Sequence, residues 1–188
     1  YITSSGGGME YCGATVTSLG ALGHEMTHSW FARGVMPANG NAGWIDEAVA
    51  SWRDDGYPRY SSAPSTTTNM GGMSPYRRTT VMAAYSQGAN LMAHFDYKFA
   101  STNGLKDVLK QLFTERQRTV ITTEILKNFL ELVSGQSLSS LFSKYVYGNA
   151  KTSDFESPIR ITPEIWNSTP GVSHHPRPYT REELRQLP

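Results

Sequence analysis

The chain has 188 residues, with 17 lysine and arginine side chains against 16 aspartate and glutamate, for a formal net charge of +1 at pH 7. That length suffices for one domain with a substantial core, and the balanced charge without any basic run excludes the electrostatic footprint of a nucleic-acid binder. No apolar stretch approaches the ~18–20 residues needed to span a bilayer, and a single cysteine, Cys12, has no partner for an intrachain disulfide.

Residues 1–17 read as extended structure. Tyr1 to Thr3 and Ala14 to Thr17 are β-prone. Gly6-Gly7-Gly8 lies between them, where the absence of side chains lets backbone approach a ligand closely. The chain opens directly in this stretch, with neither an initiator methionine nor a signal-peptide pattern, so it reads as a piece of a larger protein whose compartment is not legible. Cys12 reads as a small buried filler.

A first helix is expected from about Ser18, as N-cap, to Ala32, with Gly34 closing it. Gly20 and Gly23 inside it each cost roughly 0.5–1 kcal/mol relative to alanine, a cost that close packing against another element would offset. This helix carries His24-Glu25-Met26-Thr27-His28, the pattern H-E-x-x-H. Residues four apart lie on one helical face, so His24 and His28 can point ring nitrogens at a single ion. Glu25 is near enough to that face to hold a water on the ion. Two neutral imidazoles suit Zn²⁺, and a catalytic zinc takes three protein ligands and a water.

Glu47 supplies the third ligand, with 18 residues between it and His28. The intervening Met36 to Gly43 is rich in turn residues and reads as a loop between two antiparallel helices. The second helix runs from about Trp44 to Asp55, stopped by Gly56 and Pro58. Ser51 and Asp54 share the Glu47 face at i+4 and i+7. They are candidates to receive the histidines' remaining N–H groups.

These features together resemble the aminopeptidase N family of zinc metallopeptidases: H-E-x-x-H, the following Trp30-Phe31, the 18-residue gap and Trp44-Ile45-Asp46-Glu47-Ala48-Val49-Ala50. The family belongs to the gluzincins, is related to leukotriene-A hydrolase and has a thermolysin-like catalytic domain. The resemblance covers residues 6 to 148, and is strongest over 23–50. It implies a β-rich domain before this point in the parent chain, missing here. The segment Gly7-Gly8-Met9-Glu10-Tyr11 is similar to a family G-x-M-E-N segment that lies along the substrate, with Tyr11 in the Asn position. The resemblance implies that Gly7, Gly8 and Met9 line the peptide and that Glu10 binds its free α-amino group. Only 13 residues separate Glu10 from His24, fewer than the family usually has. Asp46 and Ala48 stand where the family often has Asn and Gly. Tyr85-Ser86-Gln87-Gly88 matches a family Y-E-K-G segment at Tyr and Gly, and implies that the Tyr85 hydroxyl stabilises the oxyanion.

Residues 58–78 read as a long polar loop that borders the cleft. A third helix starts near Thr79 or Thr80 and carries Tyr85 and a structural His94. Helical periodicity recurs at Leu105, Val108, Leu109 and Leu112, and at Ile125, Phe129 and Leu132, the latter ended by Gly135. Ser137 opens a short helix with Leu141, Phe142 and Tyr145. Residues 149–188 are polar and proline-bearing, an extension or linker in which His174-His175 are solvated.

The expected fold is α+β, mostly α: a thermolysin-like catalytic domain over residues 1–148 with a short N-terminal β region. The expected function is hydrolysis of peptide bonds with one Zn²⁺ per chain, held by His24, His28 and Glu47. Glu25 acts as general base, and removal of N-terminal residues is the leading activity. A zinc endopeptidase and a catalytically inactive peptide-binding module are the alternatives.

Overall fold

The computed structural model describes residues 2–3, 7–11, 13–71 and 80–149. Gly6, Cys12, residues 72–79 and residues 150–188, with most of the expected C-terminal extension and its His174-His175 pair, lie outside the described residues. Of those described, 57% are helical and 11% lie in strands, which makes the class α+β and mostly α.

Three short strands, β1 (Ile2–Thr3), β2 (Met9–Tyr11) and β3 (Ala14–Thr17), form a sheet in the order β1-β3-β2. β1 is parallel to β3 and β2 is antiparallel to it, with Glu10 opposite Thr15. Gly13, at φ 76°, occupies the left-handed region at the turn between β2 and β3. The short Glu10–His24 connection is thus one returning strand, which leads through residues 18–21 into α1 (Leu22–His28). β2 is left as an edge strand.

α1 is shorter than its pattern predicts. Ser18 makes a turn rather than the N-cap: its Oγ accepts from the Ala21 N–H at 3.3 Å, and Ala21 itself precedes the helix. Gly20 lies before the helix. Gly23 lies inside it, and its packing partner is Arg53, since a Cβ there would sit 2.1 Å from the guanidinium Nη1. After His28 the helix widens into a π-helical turn, Ser29–Gly34.

Residues 36–43 are not a plain loop. β4 (Val35–Pro37) pairs in parallel with β5 (Thr119–Ile121), and a 3₁₀ turn, Gly40–Ala42, follows. The Asn39 side chain accepts from the Asn41 N–H at 3.0 Å, tightening this turn. It delivers the chain into α2 (Trp44–Asp54), within one residue of the expected bounds.

α3 (Ala83–Lys98) lies along α2, and starts after the predicted Thr79–Thr80. Thr80 instead donates from its hydroxyl to the Gly43 carbonyl at 3.0 Å, tying the approach of α3 to the start of α2. Gly88 makes the helix contact close: a Cβ there would meet the Ala48 Cβ at 2.7 Å and Cα at 3.2 Å. His94 is structural as expected, buried with Nδ1 3.1 Å from the Tyr60 carbonyl oxygen.

α4 (Leu105–Arg116), α5 (Thr123–Ser134) and α6 (Ser139–Tyr145) complete the domain. Thr122 caps α5 by accepting from the Ile125 N–H, and Gly135 ends it at φ 65°. The core holds Trp44, Trp52, Phe95, Phe99, Phe129 and Phe142, all under 2% exposed. Each such ring removes roughly 150–250 Å² from water, several kcal/mol at about 25 cal/mol per Å². Trp44 satisfies its indole N–H on Thr123 Oγ1 at 3.0 Å, locking the start of α2 to α5.

Residues 58–71 form no helix or strand and none of them lines the cleft described below, while residues 72–78 of the expected loop lie outside the described residues. Thr68 and Met70 donate backbone N–H groups to the carbonyls of Lys144 and Val146, and Met70 enters the core. Buried apolar anchoring fixes this part of the stretch. No described helix is long and apolar enough to cross a membrane.

Candidate metal centre

α1 and α2 pass each other antiparallel, because His24 meets Asp54 while His28 meets Asp46. Asp46 and Glu47 occupy the first turn of α2, where the helix's positive end favours carboxylates. Glu47 Oε2 lies 3.1 Å from His24 Nε2 and 3.7 Å from His28 Nε2. One ligand atom from each of His24, His28 and Glu47 falls within 4.8 Å of the others. Two imidazoles and a carboxylate converging this way are a donor set suited to Zn²⁺.

The other ring nitrogens also face carboxylates. His24 Nδ1 donates to Asp54 Oδ2 at 2.6 Å. His28 Nδ1 is buried 3.3 Å from Asp46 Oδ2, off the hydrogen-bond line. Such partners fix the tautomer and aim of a ligating ring. Asp54 was expected in this role. Ser51 was too, but among the described residues it makes no hydrogen bond to either histidine. Asp46 takes the second place instead. Its signal was its position beside Glu47, at the end of α2 that an antiparallel helix brings to His28.

The charges are interlocked. His24 is pushed up to about 9, chiefly by its hydrogen bond to Glu47, against desolvation and with help from Asp54. For His28, burial works downward, but the Asp46, Glu47 and Glu10 carboxylates together outweigh it and raise the group, Asp46 foremost among them. Burial would raise Glu47, yet its contact with His24, the His28 charge and the Tyr85 hydroxyl hold it below the usual glutamate range. Asp46 is raised by burial, partly offset by His28.

Glu25 is 6% exposed, and burial raises its carboxyl above the ordinary value against the pull of the two histidines. The backbone of the glycine segment covers it, for a Cβ on Gly8 would sit 2.0 Å from Glu25 Oε1. Glu10 shares this region: ligand atoms of Glu10, Glu25 and His28 also lie within 4.8 Å of one another. Tyr85, from α3, stacks on His24 with ring centroids 6.2 Å apart and planes 10° from parallel. Burial first, then the Glu47 charge, pushes its phenol well above the ordinary range, so it keeps its proton.

These groups line one cleft of about 590 Å³. Gly7, Gly8, Met9 and Glu10 form one wall, the three candidate ligands and Glu25 the floor, and Tyr85 and Thr80 another side. The candidate ligands, Glu25, Tyr85 and the Gly7–Glu10 segment therefore border the same space, while Ser51 and Asp54 are not part of its lining. Arg33, also on the cleft, was not anticipated. No family model, no curated protein and no solved structure matches this chain.

Proposed function

We propose that this chain is the catalytic domain of a zinc-dependent peptidase of the gluzincin kind, acting as an aminopeptidase. The observation that carries the reading is the convergence of His24, His28 and Glu47 within 4.8 Å beside the buried Glu25. His24, His28 and Glu47 would hold Zn²⁺. Zn²⁺ bound there supplies a Lewis acid that polarises a carbonyl and brings the pKa of a water toward ~7.

Glu25 accepts the proton of the attacking water and returns it to the departing amine, a task its raised pKa brings nearer to neutral working pH. Tyr85 keeps its hydroxyl proton and donates a hydrogen bond through it to the developing oxyanion. Glu10, on the edge strand, offers a carboxylate to the substrate's free α-ammonium. The free edge of β2 offers backbone groups to an extended peptide.

Elemental analysis of the purified protein, combined with peptide hydrolysis assays, tests the reading. About one zinc per chain is expected, with turnover of free-amine peptides far above N-acetylated ones. Glu25→Gln is expected to keep the zinc and lose turnover by at least about a hundredfold, as removal of a general base does. Full activity in Glu25→Gln would refute the mechanism. Equal cleavage of acetylated peptides would favour an endopeptidase, and zinc without turnover a binding module.

A further inference from the structure

Arg33 lies on the cleft wall, five residues after His28. In an α-helix, five residues turn through about 140° beyond a full circle, which would carry Arg33 away from the His28 face. Here the helix is π-helical from Ser29 to Gly34. The i→i+5 bonding of a π turn winds through fewer degrees per residue, so residue i+5 falls nearer the face of residue i than it does in an α-helix, and such turns gather at functional sites. Arg33 is thereby returned to the side of the metal helix that faces β2.

There its Nη2 donates to the Glu10 carbonyl oxygen at 2.7 Å and reaches Glu10 Oε1 at 3.4 Å. One guanidinium group thus holds both the backbone and the carboxylate of the same residue. β2 needs such a tie. It is a three-residue strand with sheet partners on one side only among the described residues. Its placement decides where the Glu10 carboxylate stands relative to Glu25 and His28.

We infer that Arg33, aimed by the π turn, is a positioning residue that fastens Glu10 and the edge strand to the metal helix, and so sets the protein's preference for peptides with a free amino terminus. This role rests on the aminopeptidase reading. Arg33 acts through Glu10, not by touching the reacting bond. Its single donating nitrogen on two acceptors leaves the other Glu10 oxygen available to a substrate ammonium.

The test is a double-mutant comparison on the zinc-loaded protein. Arg33→Met, Arg33→Lys, Glu10→Gln and the Arg33→Met/Glu10→Gln double variant are assayed on matched free-amine and N-acetylated peptides. Arg33→Met is expected to keep about one zinc per chain. Its KM for free-amine peptides should rise, and its discrimination over acetylated ones fall, by about tenfold, the effect of losing one charge-assisted contact. Its kcat should change less. Lysine should restore part of the discrimination. In the Glu10→Gln background, Arg33→Met should cost no further discrimination.

Unchanged discrimination in Arg33→Met, or an undiminished further loss in the double variant, would overturn the Arg33 role while leaving the peptidase reading intact. A wild-type protein that cleaves both peptides equally would overturn the free-amine reading and the Arg33 role together. Loss of zinc in Arg33→Met would assign Arg33 to the fold of the metal helix instead.

Discussion

Replacing Asp54 with alanine removes the acceptor behind His24 without touching a ligand. The His24 Nδ1–Asp54 Oδ2 contact is 2.6 Å, the length of a charge-assisted hydrogen bond. Two features temper it. The Asp54 side chain is 39% exposed, and its other oxygen is shared with Arg53 Nη1 at 3.0 Å. Losing an outer partner of a ligating histidine costs 10–100-fold in metal affinity. Solvent screening and the Arg53 contact place this one at the low end, about tenfold, or about 1.4 kcal/mol. Asp54→Asn, which keeps an acceptor but not the charge, should lose less. The assay is a zinc titration against a chromophoric chelator at pH 7, with the neighbouring Asp55→Ala as control. Affinity in Asp54→Ala equal to wild type would refute the claim that this carboxylate aims His24.

Other outcomes follow from the same geometry. His24 sits at about 9 in the metal-free protein, above its ordinary 6.5, so at pH 7 zinc must displace its proton. Calorimetry in buffers of different ionisation heat should show close to one proton released from His24, and affinity should climb as pH rises from about 6.5 to 9. In the metal-free fold the sign is opposite: the stabilisation from His24 is complete below 6.5 and is lost as pH rises through about 9, which thermal melts will register. Gly8→Ala should displace the Glu25 carboxylate and lower kcat by up to about a hundredfold with zinc retained, because a shift near 1 Å at a reacting group costs that much. Gly88→Ala should overpack α3 against Ala48. Against a gain of 0.5–1 kcal/mol in helix propensity, an overpacking cost of about 1–3 kcal/mol leaves a net destabilisation of up to about 2.5 kcal/mol, centred near 1 kcal/mol, or a melting temperature about 2–4 °C lower at that centre.

Much of the site was legible because its chemistry is local. His24 and His28 are one helical turn apart, and the short turn-rich stretch before Trp44 limits where Glu47 can lie. α2 and α5 announce themselves through periodicity and the glycines that end them, Gly56 beyond one and Gly135 beyond the other, while the Thr122 cap of α5 went unread. What was not legible depends on partners distant in the chain. β4 and β5 are three residues each and pair across more than eighty positions, too short to show a period. No residue pattern marks the π turn, where Phe113 packs against Gly34 and Phe31 from a distant helix. Asp46 reads as a family variant until His28 is seen beside it. Arg33 reads as an ordinary surface cation until the π turn brings it to Glu10.

α1 is only seven residues long, starts without a side-chain cap and carries a glycine. Isolated helices much shorter than ~12–15 residues do not hold themselves in water. The element bearing both histidines is therefore the least self-sufficient helix of the site, borrowing its order from α2, the π turn and whatever its two imidazoles bind. On the zinc reading, metal capture and the folding of this helix would be in that sense one equilibrium. A cation shared with Glu47 would act as a clasp across 23 positions of chain, and a chelator would work on the backbone as much as on the chemistry.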